Sequence, residues 1–368
     1  MKQHKIDAYI IPTSDPHMSE YPADCWKYRE WISGFTGSAG TVVITADKAG
    51  LWTDSRYFLQ ATTELEGTGI ELYKMMLPET PTIPEFLAHE LKAGQTAGLN
   101  GETYSLDDAR TLEKSLVAKD IKLDTNAFLI DPIWKDRPAI PEAPMFEMPI
   151  ELSGRSVEDK LLDINKMLHK SGADCTILSA LDEVAWTFNI RGTDVAYNPV
   201  VVSYAFISEK ESVLFVNPKK LPADIAEHLK KEGVTLADYG MLATYLSRLP
   251  EQTRVFIDGK RTNVAICNAL PKSCILIEGI SPANHLKSIK NETEIKGFRN
   301  AVLKDGIAMT KFFFWLENKL KTGEKVTELS AAAKLTALRA EQPQYVMDSF
   351  ASISSYGPHG AVVHYSPT

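Results

Sequence analysis

An order of short apolar, β-branched runs is written twice in this chain, and that duplication limits its folds more than any other feature. Ile6 to Ile11 reads as a strand, and Gly40 to Thr45 and Gly50 to Thr53 read as two more, joined by a turn at Ala46 to Ala49. Asp174 to Leu178 repeats the opening strand, Asp182 to Ile190 carries helical spacing, and Pro199 to Ile207 with Ser212 to Val216 repeats the strand pair. Matching segments lie about 155 to 167 residues apart, a period that predicts two copies of one α/β domain.

The second copy is preceded by an amphipathic helix predicted over Val157 to Lys170, with Leu161, Ile164 and Leu168 on one face. The first copy lacks a counterpart and is expected to begin late by roughly one helix. Between the copies, Asp131 to Pro149 holds five prolines, which remove backbone donors and resist helix and central strand alike. A third segment starts near Ser281, where Ile289, Ile295, Phe298, Val302, Ile307 and Met309 recur at the spacing of one long helix running to about Leu320. Thr327 to Gln342 reads as another helix, capped by Thr327 with Glu328 near the positive end of its dipole. Ser349 to Tyr365 reads as two strand-like runs around Gly357-Pro358-His359-Gly360. The expected layout is a first α/β domain at 1–131, a linker at 132–150, a repeated α/β domain at 151–280 and a third unit at 281–368. Two helices and a hairpin cannot close an α/β domain, so that unit is expected to be incomplete.

The length of 368 residues itself calls for more than one core, and 44% hydrophobic with 24% charged residues is ordinary globular composition. A formal charge of -8, with Lys and Arg scattered evenly, argues against nucleic acid or an anionic membrane as partner. The run Ala8 to Pro12 is too short for a signal sequence, and no stretch approaches the ~20 apolar residues of a membrane span, so a cytoplasmic protein is expected. Cys25, Cys175, Cys267 and Cys274 form no CxxC pair and read as reduced, packed thiols.

Four stretches carry a resemblance: Ile32 to Gly40 (ISGFTGSAG), Leu51 to Phe58 (LWTDSRYF), Ala180 to Trp186 (ALDEVAW) and Gly360 to Tyr365 (GAVVHY). Together with Ile133 to Pro138 in the linker, they resemble aminopeptidase P, the Xaa-Pro aminopeptidases, in the long three-domain form. The resemblance implies two creatinase-N-like, ribonuclease-H-like α/β domains followed by the start of a pita-bread α+β domain. It implies hydrolysis of the bond between an amino-terminal residue and a following proline, with peptides bearing proline at the second position as substrates and a homodimer as the assembly. In that family two divalent ions, usually manganese, are held by two aspartates, a histidine and two glutamates that all follow the His-Tyr motif. That motif is His364-Tyr365 here, so the resemblance implies no metal ligands and no bound metal in this chain, which alone would be inactive. The other candidate ligand sets, Asp15, His17 and Glu20 or His359 with His364, read better as polar loop side chains.

The resemblance gives two residues a role. His364 matches a histidine that faces the metal centre and hydrogen-bonds substrate, the catalytic and substrate-binding candidate here; a histidine satisfied within a strand is the alternative. Arg56 matches an arginine reaching from the first domain toward bound peptide, against the alternative of a local ion pair with Asp54, which itself shapes the turn. Gly34 to Gly40 lacks the order of a phosphate loop and reads as a tight strand-to-strand connection, while Trp186 and Phe188 read as core. A different class of function also fits the sequence, a non-catalytic peptide-binding or dimerisation module built on the same domains.

Overall fold

The computed structural model describes residues 1–367. Its first sheet contains β1 (Ala8–Pro12), β2 (Thr41–Ile44), β3 (Ala49–Thr53), β4 (Glu71–Lys74), β5 (Thr96–Leu99) and β6 (Lys122–Asp124), in the spatial order β4-β3-β2-β1-β5-β6. A two-stranded ribbon joins β7 (Phe146–Glu147) to β9 (Ile190–Arg191), bridging the linker and the second copy. The second large sheet contains β8 (Cys175–Leu178), β10 (Ser203–Ser208), β11 (Ser212–Val216), β12 (Val234–Ala237), β13 (Arg254–Ile257) and β14 (Ile275–Glu278), in the order β12-β11-β10-β8-β13-β14.

The duplication therefore extends to topology. In each sheet the opening strand pairs antiparallel on one side (β1 with β2, β8 with β10) and parallel on the other (β1 with β5, β8 with β13). Strand alternation explains why both copies are buried on two faces: Tyr9, Ile11, Val42 and Leu51 enter one core, while Ala8, Ile10, Val43 and Trp52 enter another. The helix Val157–Lys170 forms over the span its periodicity predicts, capped by Ser156, which accepts from the Asp159 amide. It buries Val157, Leu161, Ile164 and Leu168, each contributing about 1.5–3 kcal/mol relative to exposure.

The two copies share apolar packing, because Leu181, Ala185, Val195 and Val202 of the second belong to the same core as Tyr9, Trp26 and Tyr57 of the first. A loop of the first copy also enters the second: Tyr204 Oη and Asn263 Nδ2 both donate to the Pro16 carbonyl, at 3.3 and 2.7 Å.

Three expectations need correction. The single long helix of the third unit is two, Pro282–Ser288 and Glu292–Lys321, because Ser281 and Asn291 each accept hydrogen bonds as amino-terminal caps. Asn291 and Glu294 form a reciprocal capping box there, which ends one helix direction and starts another despite the unbroken apolar spacing. The run 349–365 forms no strands; it is irregular apart from one helical turn, Gly357–Ala361. A hairpin without a third strand or a covering helix is marginal, and no sheet of the described residues lies beside it. Gly34 to Gly40 joins a helix to a strand rather than two strands: Gly34 closes the helix Tyr28–Ser33 at φ 70°, a left-handed conformation that suits glycine.

The helix Glu292–Lys321 packs antiparallel to Glu328–Ala340, with Arg339 Nε 2.7 Å from Asp305 Oδ1 and Lys311 Nζ 2.8 Å from Glu341 Oε2. Of its thirty residues only Ala308 is buried, and Phe298, Val302 and Phe314 stand open to solvent. No helix of the described residues is long and apolar enough to cross a membrane.

Candidate functional site

A cleft of about 1100 Å³ opens where all three units meet, lined by Arg29, Ser38 and Tyr57 from the first, Tyr197 from the second, and Phe350 and His364 from the third. Its wall in the first unit comes mainly from residues 12–38, and the strand-to-helix motif after β3 adds Tyr57 and Gln60. Asp54 caps the turn Ser55–Tyr57 by accepting from the Arg56 amide, 3.1 Å away. The Arg56 guanidinium then folds back on the same carboxylate, with Nε donating to Oδ1 and Nη2 to Oδ2 at 2.8 Å each. This fork holds the Asp54 carboxyl below the usual carboxylate range and the Arg56 guanidinium above its own.

The local ion pair forms, and Arg56 stands beside the cleft, next to its lining residue Tyr57, rather than in the wall itself. Arg56 stays 46% exposed, so its fork is free to exchange Asp54 for another oxygen acceptor. Its guanidinium carbon lies 5.2 Å from the centre of the Tyr57 ring. His364 lies exposed on the same ring, with centroids 5.3 Å apart and planes at 22°. The two candidates, distant in sequence, thus meet at one aromatic side chain.

Tyr57, Ser38 and Arg29 went unmarked in the sequence reading. Tyr57 is adjacent to Arg56 in the motif, the one signal that could have pointed to it. Arg29 carried no signal, because its role is visible only from its partners: Nε donates to Thr13 Oγ1 at 2.9 Å, and Nη1 and Nη2 donate to the Phe35 and Gly37 carbonyls. Burial pushes its pKa down to about 10.

The remaining candidates are occupied elsewhere. His17 is buried, with Nδ1 2.8 Å from the Ser179 carbonyl and Nε2 3.0 Å from Tyr239 Oη. Asp15 Oδ1 accepts from the His17 and Ser19 amides at 2.9 Å each. His359 Nδ1 lies 3.0 Å from both carboxylate oxygens of Glu328, and Tyr365 Oη donates to the same group at 2.7 Å. Among the described residues no group of three or more His, Cys, Asp or Glu side chains is arranged to hold a metal ion. Trp186 and Phe188 are core, although Trp186 Nε1 also donates to Glu294 Oε1 at 3.2 Å. The four cysteines are unbonded, and burial raises the thiol pKa of each.

Comparison with known proteins agrees with this layout. Creatinase/prolidase N-terminal domain models match residues 1–128 and 136–294, and the metallopeptidase family M24 model matches 296–368. A probable Xaa-Pro aminopeptidase P of Botryotinia fuckeliana is 39% identical over 380 residues, covering 100% of this chain and 58% of the relative. One from Laccaria bicolor is 39% identical over 374 residues with the same coverages, 100% and 58%. The crystal structure of the X-prolyl aminopeptidase from Caenorhabditis elegans, described as a cytosolic enzyme with a di-nuclear active site, superposes with a TM-score of 0.93 at 32% identity, covering 99% of this chain and 60% of that one. The chain thus spans 58% of the length of the two curated relatives. In sequence along its whole extent and in backbone geometry, it belongs to the aminopeptidase P family, as two creatinase/prolidase N-terminal domains in tandem followed by the start of an M24 metallopeptidase domain.

Proposed function

We propose that the chain is the amino-terminal portion of a metal-dependent Xaa-Pro aminopeptidase, which hydrolyses the bond between the first residue of a peptide and a following proline. The observation that carries this reading is the convergence of Arg56 and His364 on the Tyr57 ring beside a cleft shared by all three units. In this reading 1–131 is the first domain, 132–150 the linker, 151–280 the second domain and 281–368 the opening of the catalytic one.

His364 is the catalytic candidate of this chain. A peptide in the cleft presents carbonyl oxygens, and an exposed imidazole can donate a hydrogen bond to the scissile carbonyl as it gains negative charge. Arg56 binds substrate: it stays charged throughout, and its fork can turn from Asp54 to a peptide carbonyl or carboxylate without leaving the Tyr57 face. Proline after the scissile bond lacks an amide hydrogen and has a fixed φ, which favours a cleft shaped for the ring over one that pairs with an extended strand.

The reading includes two divalent ions, assigned as manganese, which when bound would supply hydroxide near neutral pH and stabilise a developing oxyanion. The described residues do not fit them, since none of their acid and histidine clusters is arranged for a metal. We assign the ligands to the part of the relatives' length that this chain does not span. A cytoplasmic homodimer is the assembly proposed.

Peptides differing only at the second residue test the substrate. With the chain extended through its own reading frame to the relatives' length, Arg-Pro-Pro should be cleaved after the first residue and Arg-Ala-Pro left intact. Equal cleavage of both would contradict the assignment.

A further inference from the structure

We infer that Tyr57 is a positioning residue for His364: its packed ring is the seat on which the imidazole is held at the cleft. The inference rests on the substrate role given above to His364.

The two sides of this contact differ in rigidity. Tyr57 is 2% exposed, and its hydroxyl lies 2.6 Å from Ser38 Oγ. Phe35 meets its ring edge-on, with centroids 6.0 Å apart and planes at 83°. A Cβ at Gly37 would stand 2.7 Å from Tyr57 Cδ1, so the loop closes on the ring only because that position has no side chain. The loop is fixed in turn by Arg29, whose buried guanidinium donates to the Phe35 and Gly37 carbonyls. Everything behind the ring is packed and hydrogen-bonded.

His364 follows the helical turn Gly357–Ala361 in a run that pairs in no sheet of the described residues, so no β-ladder orients its imidazole. The plane of the imidazole is set by the face it rests on, at a separation within the range of about 4.5 to 7 Å that aromatic pairs favour. Arg56 lies over the same ring, which ties the carbonyl-binding arginine and the histidine to one support. A small error in placing a hydrogen-bonding group at a reacting centre costs much rate, and a seat of this kind prevents one.

The test uses nuclear magnetic resonance on the 368-residue chain with labelled histidines, His364 being assigned from the His364→Gln spectrum. Ring-current shielding of His364 should persist in Tyr57→Phe and vanish in Tyr57→Leu, with the buried His17 resonance unmoved as the mark of a folded chain. His364→Ala provides the reciprocal reading on an exposed residue: the Tyr57 ring protons should move, whether or not Tyr57→Leu folds. A His364 resonance unchanged in folded Tyr57→Leu, or Tyr57 protons unchanged in His364→Ala, overturns the inference. In the extended protein, Tyr57→Leu should lower kcat by about tenfold to a hundredfold with KM within about threefold, and Tyr57→Phe should recover most of the loss. An unchanged kcat overturns the positioning role. An extended wild type that hydrolyses no Xaa-Pro peptide removes the peptidase reading and the role built on it, while leaving the contact measured in the spectra.

Discussion

His17 and Tyr239, one from each copy of the repeated domain, meet with Nε2 3.0 Å from the tyrosine hydroxyl. Nδ1 faces the Ser179 carbonyl, which can only accept, so the neutral ring carries its proton on Nδ1 and takes the Tyr239 hydrogen at Nε2. This imidazole, centred 4.4 Å from the Tyr204 ring and tilted 34° to it, pins the first domain to the second.

Replacing it should loosen that joint. His17→Ala leaves a cavity and takes a hydrogen-bond partner from both the Ser179 carbonyl and the Tyr239 hydroxyl, for an expected loss of about 2–4 kcal/mol in urea unfolding. Burial lowers the His17 pKa, against smaller opposing influences from Asp15, the Ser179 carbonyl and Asp194. In the window below the unfolded value of 6.5 the unfolded chain takes up a proton that the folded chain resists, so stability is present above that pH and declines as pH falls. The advantage of wild type over His17→Ala should therefore shrink below pH 6.5 by at most about 1.4 kcal/mol per unit. An advantage that grows with acid would contradict this.

Lys160 is buried, its Nζ donating to the Trp186 carbonyl at 2.7 Å and to Asn189 Oδ1, with the Glu294 carboxylate acting on it only weakly. Burial first, then Arg191, pushes its pKa down to about 7. Between that value and the ordinary lysine range near 10.5 the unfolded state binds more protons, so stability should rise with pH across that window. Lys160→Met should abolish the rise while leaving two acceptors unpaired, a loss of about 1–3 kcal/mol offset in part by removing a buried charge. Thermal melts of both proteins from pH 7 to 9 measure the difference.

The fork of Arg56 on Asp54 is exposed, so its worth to stability is small even though its geometry is good. Asp54→Ala should cost about 1 kcal/mol, chiefly the lost cap of the following turn. Arg56→Ala in the extended protein should lower kcat/KM about tenfold, the scale of one charged hydrogen bond to peptide. Unchanged kcat/KM in Arg56→Ala would remove it from the substrate site.

The duplication was legible because each strand is a compact β-branched run whose alternation serves two buried faces, as in Tyr9 and Ile11 against Ala8 and Ile10. The helix Val157–Lys170 was legible because one face is apolar and Ser156 stands where a cap belongs. The break before Glu292 was hidden because apolar spacing runs through it, and the capping signal of Asn291 competes with that spacing locally. The strands expected within 349–365 failed because a strand exists only with a neighbour to pair with, which the run does not specify by itself. The meeting of Arg56 and His364 on Tyr57 is a tertiary fact: each was marked by its motif, yet nothing along the chain reveals that one ring supports both.

The most direct test of the account is manganese-supplemented hydrolysis of a short Xaa-Pro peptide, measured on the 368-residue chain and on the same chain extended through its reading frame to the relatives' length. The account predicts hydrolysis by the extended form alone, lost on chelation and restored by manganese. Metal-dependent hydrolysis by the 368-residue chain itself would contradict it, because its described residues hold no metal-binding cluster.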